Sequence, residues 1–289
     1  MIIVRIWEGL GNQMFQYAYA RKRMAEGVPV SLDLHRAYED SYPSLRNSAV
    51  RVNCIQNFHI KVPSIDVEGY GKYFYLRKQT EVEKRICFLA QRGLWPYSFI
   101  EEKNELYSSK AACIRGNVYL KGWFQDQRYF ADIRKELLQE FTPKKKIKIS
   151  SEILKMIKSE NSAAIHVRRG DYVKLGMALP HAYYLKAKSV LEKKIANPIY
   201  FVFSDDYQWV KQNIQWGEKA EVFYIDEICK LENYEQLLLM SNCRGQIISN
   251  STFSWWAAWL NQNEDKKIIM PKRYVQLNPG LDIKGSIWV

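Results

Sequence analysis

The stretch AAIHVRRGDY, residues 163–172, ends a short apolar run in a histidine, two arginines and an aspartate. Alternate side chains of a strand point to the same face, so His166 and Arg168 would reach one ligand together. Arg168 and Arg169 are adjacent cations, and a planar guanidinium binds phosphate oxygens through two donors at once. The pattern therefore predicts a phosphate site built from these residues and Asp171. The alternative is that the arginines pair with Asp171 or another acid and only hold the turn.

Two further polar clusters follow apolar runs later in the chain. FVFSDD places Ser204 and Asp205 after a run that is typical of a buried strand. An aspartate there could accept hydrogen bonds from a guanine edge or bind a ribose hydroxyl, and the alternative is a cap on the next helix. GQIIS leads into NSTFSWWAAWL, where Asn250, Ser251 and Thr252 open a predicted helix whose free amides favour an anion. We predict a second phosphate contact there. The three tryptophans that follow are predicted core, with stacking on a sugar as the alternative.

The turn after the first predicted strand, EGLGN, is similar to a dinucleotide-binding fingerprint. Gly9 and Gly11 match it, and Asp33 follows at the distance of a ribose-binding acid, but Met14 occupies the position of the third glycine. A nicotinamide cofactor is therefore not expected. The glycines still indicate that a ligand approaches this backbone, and Asn12 could donate to it.

The elements that must position these residues alternate along the chain. MIIVRIW, QMFQYAYARKRMAEG and VPVSLDL predict a strand, a helix and a second strand. From residue 146 onward apolar runs and helical patterns alternate, which is typical of parallel strands with helical crossovers. Ligands of such sheets bind beyond the carboxyl ends of the strands. We therefore expect an α/β protein with two Rossmann-like domains, 1–145 and 146–289, and an irregular insertion at about 41–115.

Composition narrows the class of partner. The 289 residues include 43 Lys and Arg against 31 Asp and Glu, a formal net charge of +12. This excess favours an anionic partner such as a nucleotide, a nucleic acid or a membrane surface. The basic run PKKKIKI at 143–149 is a predicted linker, which either stays solvated or contacts anionic lipid head groups.

Several chemistries are not indicated by the sequence. The five cysteines show no CxxC spacing and the four histidines do not cluster, so neither a metal site nor a disulfide framework is expected. No HExxH, GxSxG or P-loop pattern is present, which argues against the common hydrolases and kinases. The opening residues carry Arg5 and Glu8, and no apolar run reaches the roughly 18 residues of a spanning helix. We therefore expect a cytoplasmic protein.

Four blocks together resemble the bacterial α-1,2-fucosyltransferases. GLGNQMFQYA, HVRRGDY, FSDD and SNSTFSWWAAWL occur in the order and at the spacing of that family, and they span nearly the entire chain. The resemblance implies an inverting, metal-independent glycosyltransferase without a cofactor, of the GT-B type, whose two Rossmann-like domains face a cleft. It implies transfer of L-fucose from GDP-fucose to O2 of a galactosyl residue in a glycan acceptor, which forms an α-1,2 linkage.

The same resemblance implies roles for individual residues. His166, Arg168, Arg169 and Asp171 occupy the His-x-Arg-Arg-x-Asp motif that α-1,2- and α-1,6-fucosyltransferases share with protein O-fucosyltransferases. Arg168 is then the catalytic contact to the β-phosphate, which agrees with the side-chain direction expected from the strand. The domain 146–289 is implied to bind GDP-fucose.

Further roles are implied for residues outside that motif. Asp205 faces guanine, Ser251 and Thr252 face the diphosphate, and Gly11 and Asn12 lie on the cleft floor near the fucose or the leaving phosphate. The domain 1–145 is implied to lie on the acceptor side, and its insertion, rich in aromatic residues, is expected to shape the acceptor site.

An inverting transfer also needs a group that takes the proton from the attacking hydroxyl. Four carboxylates remain open as that base: Asp126, Asp33, Asp171 and Glu8. Residues 120–130 resemble a family block that lines the cleft, and this selects Asp126 as the expected base.

Two other functions remain open. One is transfer from another GDP-sugar, and the other is RNA binding through the basic surface, although no RNA-binding motif occurs.

Bacterial members of the family often decorate O-antigen or capsule repeats on a lipid carrier, so the resemblance implies carbohydrate metabolism. We expect a cytoplasmic protein with no nucleic-acid partner, and a peripheral contact with the anionic inner face of the membrane is a further prediction.

Overall fold

The structure, a computed structural model, divides the chain into two compact units, Met1–Lys144 (unit 1) and Lys145–Val289 (unit 2). The residues that it describes are 1–34, 53–65, 98–103 and 105–289. Most of the predicted insertion at 41–115 lies outside these residues.

Ten strands and eleven α-helices lie within the described ranges. The strands are β1 Ile2–Arg5, β2 Val30–Asp33, β3 Ser98–Glu102, β4 Val118–Gly122, β5 Ser162–Val167, β6 Ile199–Ser204, β7 Val222–Tyr224, β8 Gly245–Ile247, β9 Lys267–Met270 and β10 Ile287–Trp288. The helices are α1 Leu10–Ala25, α2 Ser109–Ala112, α3 Arg134–Glu140, α4 Ser151–Ile157, α5 Gly170–Lys174, α6 His181–Glu192, α7 Tyr207–Asn213, α8 Ile225–Ile228, α9 Asn233–Asn242, α10 Thr252–Leu260 and α11 Lys272–Leu277. The alternation of strands and helices predicted beyond residue 146 is confirmed.

The sheet of unit 1 has the order β2-β1-β4-β3, and every pairing in it is parallel. The central strand β1, IIVR, is buried along its whole length. β3, SFIEE, is only partly buried and was not predicted, because its sequence lacks the apolar run that marks the other strands.

The first helix begins earlier than the sequence predicts. Helix α1 starts at Leu10, so Gly11 and Asn12 lie in its first turn and the preceding turn ends at Gly9. Gln13 explains the early start, because its amide donates to the carbonyl of Glu8 at 2.8 Å and its Oε1 accepts from two backbone amides of residues 54 and 55. These bonds fix the turn against its neighbours and offset the low helix propensity of glycine.

The segment DQRYFADIRKELLQEF was predicted as one helix and is not continuous. Two short 3₁₀ turns, Gln127–Tyr129 and Ala131–Ile133, precede α3. Phe130 interrupts the helical conformation between them with φ −151° and ψ 4°. The aromatic side chains at 129 and 130 are buried, so packing outweighs the helical preference of the sequence here.

The sheet of unit 2 has the order β10-β9-β8-β5-β6-β7, again with parallel pairings. Central β5 is buried throughout. Ile165 and Val167 pack in one hydrophobic cluster with Tyr184 and Leu191 of α6. Ile165 and Val167 share one face as alternation along a strand predicts, whereas His166 lies outside that cluster and contacts Ser249. Arg168 follows the last residue of β5, so its place on the same face as His166 stays a prediction.

The basic run at 143–149 contains four exposed lysines. Its contact with lipid head groups stays a prediction. None of the helices in the described ranges is long and apolar enough to span a bilayer.

Candidate functional site

Three strand ends bring the polar clusters of unit 2 to one edge of its sheet. β5 pairs in parallel with β6 on one side, with Val167 opposite Ser204, and with β8 on the other, with Ile165 opposite Ile247. The residues that follow these strands therefore emerge side by side at their carboxyl ends, where ligands of parallel sheets bind. The motif residues of 166–171, 204–206 and 249–252 meet there.

Arg168 is held between two carboxylates. Its Nη2 lies 2.5 Å from Oδ1 of Asp171 and its Nη1 lies 2.7 Å from Oδ2 of Asp205. Its guanidinium also lies 5.4 Å from the ring centroid of Tyr172. The structure therefore shows the ion pairing of Arg168 that the sequence offered as the alternative.

Arg169 has a separate acidic partner. Its Nε donates to Oδ2 of Asp206 at 3.0 Å, and its guanidinium lies 4.1 Å from the ring centroid of Trp209. With Asp171 and Asp205, three carboxylates surround the two guanidiniums. The repulsion between the adjacent arginines is thus offset inside the chain.

The residues Ser204, Asp205 and Asp206 of the FSDD block each make a different contact. The helix-capping role falls to Asp206, whose Oδ1 accepts from the amide of Trp209 at 3.1 Å. Asp205 instead accepts from the backbone amide of Arg169 at 2.7 Å. Ser204 donates to the carbonyl of Val167 at 2.9 Å and joins the ends of β6 and β5.

Gly170 gives the turn its close packing. A Cβ at this position would lie 2.8 Å from Oδ2 of Asp205, closer than real Cβ contacts. The group that approaches Gly170 in the structure is the Asp205 carboxylate. The absence of a side chain at position 170 is therefore what lets Asp205 reach Arg168.

His166 is buried beside the arginines and stays neutral. Its Nδ1 lies 2.9 Å from the hydroxyl oxygen of Ser249, and only 6% of the residue is exposed. Burial, and secondarily the charge of Arg168, lower the pKa of His166 from its ordinary 6.5 to about 3.

This depressed pKa predicts a loss of stability in acid. Between pH 6.5 and about 3 the unfolded chain binds a proton at His166 that the folded chain does not, so the free energy of unfolding falls as pH falls. The contribution of this histidine is about 1.4 kcal/mol per pH unit. In urea titrations from pH 7 to 4, His166→Gln should therefore lose stability less steeply than the wild-type protein. Parallel stability profiles would contradict this.

The third cluster opens α10 as the sequence predicts. Ser251 is its N-cap, and its hydroxyl accepts from the amide of Phe253 at 3.4 Å. Thr252 is the first helical residue. Asn250 donates to the carbonyl of Met177 at 2.9 Å and ties this loop to the turn after α5. The predicted helix start is confirmed, and its use as an anion site is a proposal.

The remaining predicted residues belong to unit 1. Asn12 accepts from the side-chain amide of Gln125 at 3.0 Å, which links the start of α1 to the loop after β4. Gly11 and Glu8 are buried, and Glu8 adopts the left-handed conformation with φ 67°. Asp33 is buried and accepts from the hydroxyl of Tyr119.

Asp126 is fully buried and has structural partners. Arg128 donates to its carboxylate through Nε at 3.0 Å and Nη2 at 2.6 Å. The carboxylate also caps the first 3₁₀ turn by accepting from the amide of Arg128 at 2.9 Å. The predicted base therefore lies in an ion pair, and its catalytic role is a proposal.

Asp206 and Ser249 each make a contact in the site that was not predicted from the sequence. Asp206 pairs with Arg169, and Ser249 contacts His166. The signal in the sequence was position, because Asp206 follows one predicted strand and Ser249 ends another. The partners lie 37 and 83 residues away in sequence, so the contacts themselves had no local signal.

Among the described residues, no group of three or more His, Cys, Asp or Glu side chains is placed to hold a metal ion.

The family profile and the related proteins that match this chain are all glycosyltransferases. The profile described as Glycosyl transferase family 11 matches residues 95–277. The chain is 30% identical to an alpha-1,2-colitosyltransferase of Escherichia coli, with 90% of this chain and 87% of that protein covered. It is 28% identical to the O-antigen biosynthesis glycosyltransferase WbnK of Escherichia coli, with 97% of each covered. A galactoside alpha-(1,2)-fucosyltransferase 2 of Pongo pygmaeus is 28% identical over 50% of this chain and 45% of that protein.

A solved structure supports the fold. A mutant of Arabidopsis thaliana FUT1 in complex with GDP matches with a TM-score of 0.51 and 10% identity, with 93% of this chain and 69% of that chain covered. The predicted GT-B-like α/β fold with two Rossmann-like units is confirmed. Because the family profile extends over more than half of the residues, the chain belongs to glycosyl transferase family 11.

Proposed function

We propose that the protein transfers L-fucose from GDP-fucose to O2 of a galactosyl residue, with inversion, to form an α-1,2 linkage. The observation that carries this proposal is the meeting of Arg168, Asp205 and Ser251 at one sheet edge of a family 11 glycosyltransferase. Similarity to alpha-(1,2)-fucosyltransferases supports the donor and the linkage.

In this proposal unit 2 binds the donor and Arg168 contacts its β-phosphate. As the bond to the sugar breaks, negative charge develops on the leaving GDP, and a donor aimed at that charge stabilises the transition state. The ion pairs of Arg168 engage its Nη1 and Nη2. A guanidinium carries five N–H donors, so others are available to a phosphate oxygen. His166, Arg169 and Asp171 contact the same donor in this proposal.

The start of α10 supplies a second contact to the diphosphate. The first amides of a helix have no intrahelical acceptor, and the helix dipole favours an anion beside them. Ser251 and Thr252 provide this end, and the nine-residue helix behind them is long enough to contribute its dipole. Asn250 and Ser204 hold the loops around it, and Asp205 faces guanine.

Unit 1 binds the galactosyl acceptor in this proposal, with Gly11 and Asn12 near the sugar and Asp126 as the base. Asp126→Asn should lower turnover on the order of 10²-fold or more, because general-base catalysis contributes on the order of 10²–10⁴. Asparagine keeps an oxygen that can accept the capping bond from Arg128. The measurement is initial rate against pH, together with GDP affinity by calorimetry.

Arg128→Gln separates catalysis from structure at this position. It removes the ion pair but keeps the Asp126 carboxylate. Both variants lose the ion pair. If turnover falls in Asp126→Asn but not in Arg128→Gln, the loss is due to the missing carboxylate acting as the base. Full turnover of Asp126→Asn across the pH range would remove Asp126 from the mechanism.

The first test of the whole proposal is GDP release from GDP-fucose with lactose or N-acetyllactosamine, in the presence of EDTA. Linkage analysis of the product should show α-1,2-linked fucose. No product with retained GDP binding would contradict the acceptor, and loss of both would contradict the donor assignment.

A second donor is favoured by one comparison. The relative that is 30% identical over most of the chain is an alpha-1,2-colitosyltransferase. A GDP-activated colitose is therefore the alternative donor. Competition between the two GDP-sugars for product formation decides between them, because the true donor should have the larger kcat/KM.

A further inference from the structure

A buried contact connects the central strand of unit 2 to the start of α10. The Nδ1 atom of His166 lies 2.9 Å from Oγ of Ser249, and Ser249 is completely buried. The imidazole ring also packs against Phe253 of α10, with ring centroids 5.3 Å apart. One edge and one face of the ring are therefore fixed by residues beyond β8.

The contact continues through two more serines to the N-cap. Oγ of Ser249 lies 3.4 Å from Oγ of Ser254, and Ser254 donates to the carbonyl of Ser251 at 3.3 Å. Ser251 is the N-cap of α10. Two buried hydroxyls and the Ser251 carbonyl thus link the histidine of the first motif to the helix end of the third.

The hydroxyl protons decide which nitrogen of the ring carries hydrogen. A neutral imidazole has one N–H and one acceptor nitrogen, and the low pKa of about 3 keeps His166 neutral. Each serine hydroxyl donates once. Ser249 either donates to Nδ1, which places the ring hydrogen on Nε2, or accepts from Nδ1–H and donates its own hydrogen bond to Ser254.

The distances favour the first arrangement. The 2.9 Å contact between Ser249 and Nδ1 is made in both arrangements, but the second also requires Ser249 to donate across the 3.4 Å contact with Ser254, which is weaker. We propose that Ser249 is a positioning residue that donates to Nδ1 of His166 and fixes the hydrogen on Nε2 as a neutral donor to the diphosphate. The identity of that ligand rests on the proposed function.

This arrangement suits the charges around the ring. Three carboxylates already surround the two neighbouring arginines. A neutral Nε2–H adds a hydrogen bond to a phosphate oxygen without adding a charge. The bare Nε2 of the other tautomer would instead present a lone pair to an anion, which is unfavourable.

The test observes the tautomer directly. Long-range ¹⁵N–¹H spectra of the full chain labelled at histidine distinguish Nδ1–H from Nε2–H, and the His166→Gln spectrum identifies the signals of His166. GDP affinity is measured by calorimetry in EDTA. The variants are Ser249→Ala and, as a matched control, Ser241→Ala, whose hydroxyl donates to the carbonyl of Leu238 within α9.

The wild-type protein should show Nε2–H at His166. Ser249→Ala should give a mixture of tautomers and bind GDP about tenfold more weakly, the effect of one hydrogen bond. Ser241→Ala should change neither. Nδ1–H in the wild-type spectrum, or a Ser249→Ala variant with unchanged tautomer and affinity, would overturn the proposal. If Ser249→Ala did not fold, the wild-type spectrum would still decide it. Absence of GDP binding to the wild-type protein would contradict the proposed function while the spectrum reported the tautomer.

Discussion

Replacing Arg168 by alanine is expected to lower turnover by a factor on the order of 10²–10³, with the fold intact. The reason is the loss of a donor aimed at the charge that develops on the leaving diphosphate. Stability should change little, because the Arg168 side chain is 31% exposed and partly exposed ion pairs contribute about 1 kcal/mol or less. The measurement is single-turnover rate with saturating donor, together with urea unfolding.

Two further variants separate the effect of charge from that of geometry. Arg168→Lys keeps the charge without the planar fork and should fall between alanine and wild type. Arg244→Ala is the matched control, because Arg244 also lies near two acids, Glu160 and Asp265, but precedes β8 at the other edge of the sheet. Its turnover should stay near wild type. Near-normal turnover of a folded Arg168→Ala protein would remove Arg168 from the mechanism.

The largest loss of stability is expected from Trp255→Ala. Trp255 is completely buried, its Nε1 donates to the carbonyl of Leu281 at 2.6 Å, and its ring centroid lies 5.1 Å from that of Trp256. Truncation leaves a cavity and an unsatisfied carbonyl, so the free energy of unfolding should fall by about 3–5 kcal/mol. Guanidinium unfolding followed by circular dichroism measures it.

An exposed tryptophan in the same unit provides the comparison. Trp288 is 44% exposed and donates to Asp282 and Ser286 at 3.1 Å. Trp288→Ala should cost about 1 kcal/mol or less. If Trp255→Ala kept wild-type stability and lost only affinity for glycans, the assignment of this residue to the core would be wrong and sugar stacking would replace it.

The order of elements in unit 2 was predictable because its sequence separates strands from helices. Runs such as PIYFVFS and KIIMP are apolar and short, and polar turns bound them. The start of α10 was predictable for a local reason, since serine and asparagine before an apolar helix are N-cap residues. The residues at the strand ends followed from the same pattern.

Other features depend on contacts that are distant in sequence. Helix α1 begins at Leu10 because Gln13 bonds to the loop at residues 54 and 55, and the sequence around Gly11 does not indicate this distant contact. The partners of Arg168 could not be chosen from sequence either, because Asp171, Asp205 and Asp206 are all acids at one edge. Only the geometry assigns Asp206 to Arg169 and to the helix cap.

The position of Asp205 has a consequence for the study of this site by mutation. Its carboxylate binds the Arg168 side chain and the Arg169 amide, and it occupies the space that a Cβ at Gly170 would need. Substitutions at 168, 170 and 205 therefore disturb one shared contact, and their free-energy effects will not add. The free-energy change of each single variant would include the loss of that same contact. A double-mutant cycle between Arg168 and Asp205 is therefore needed to measure its interaction energy.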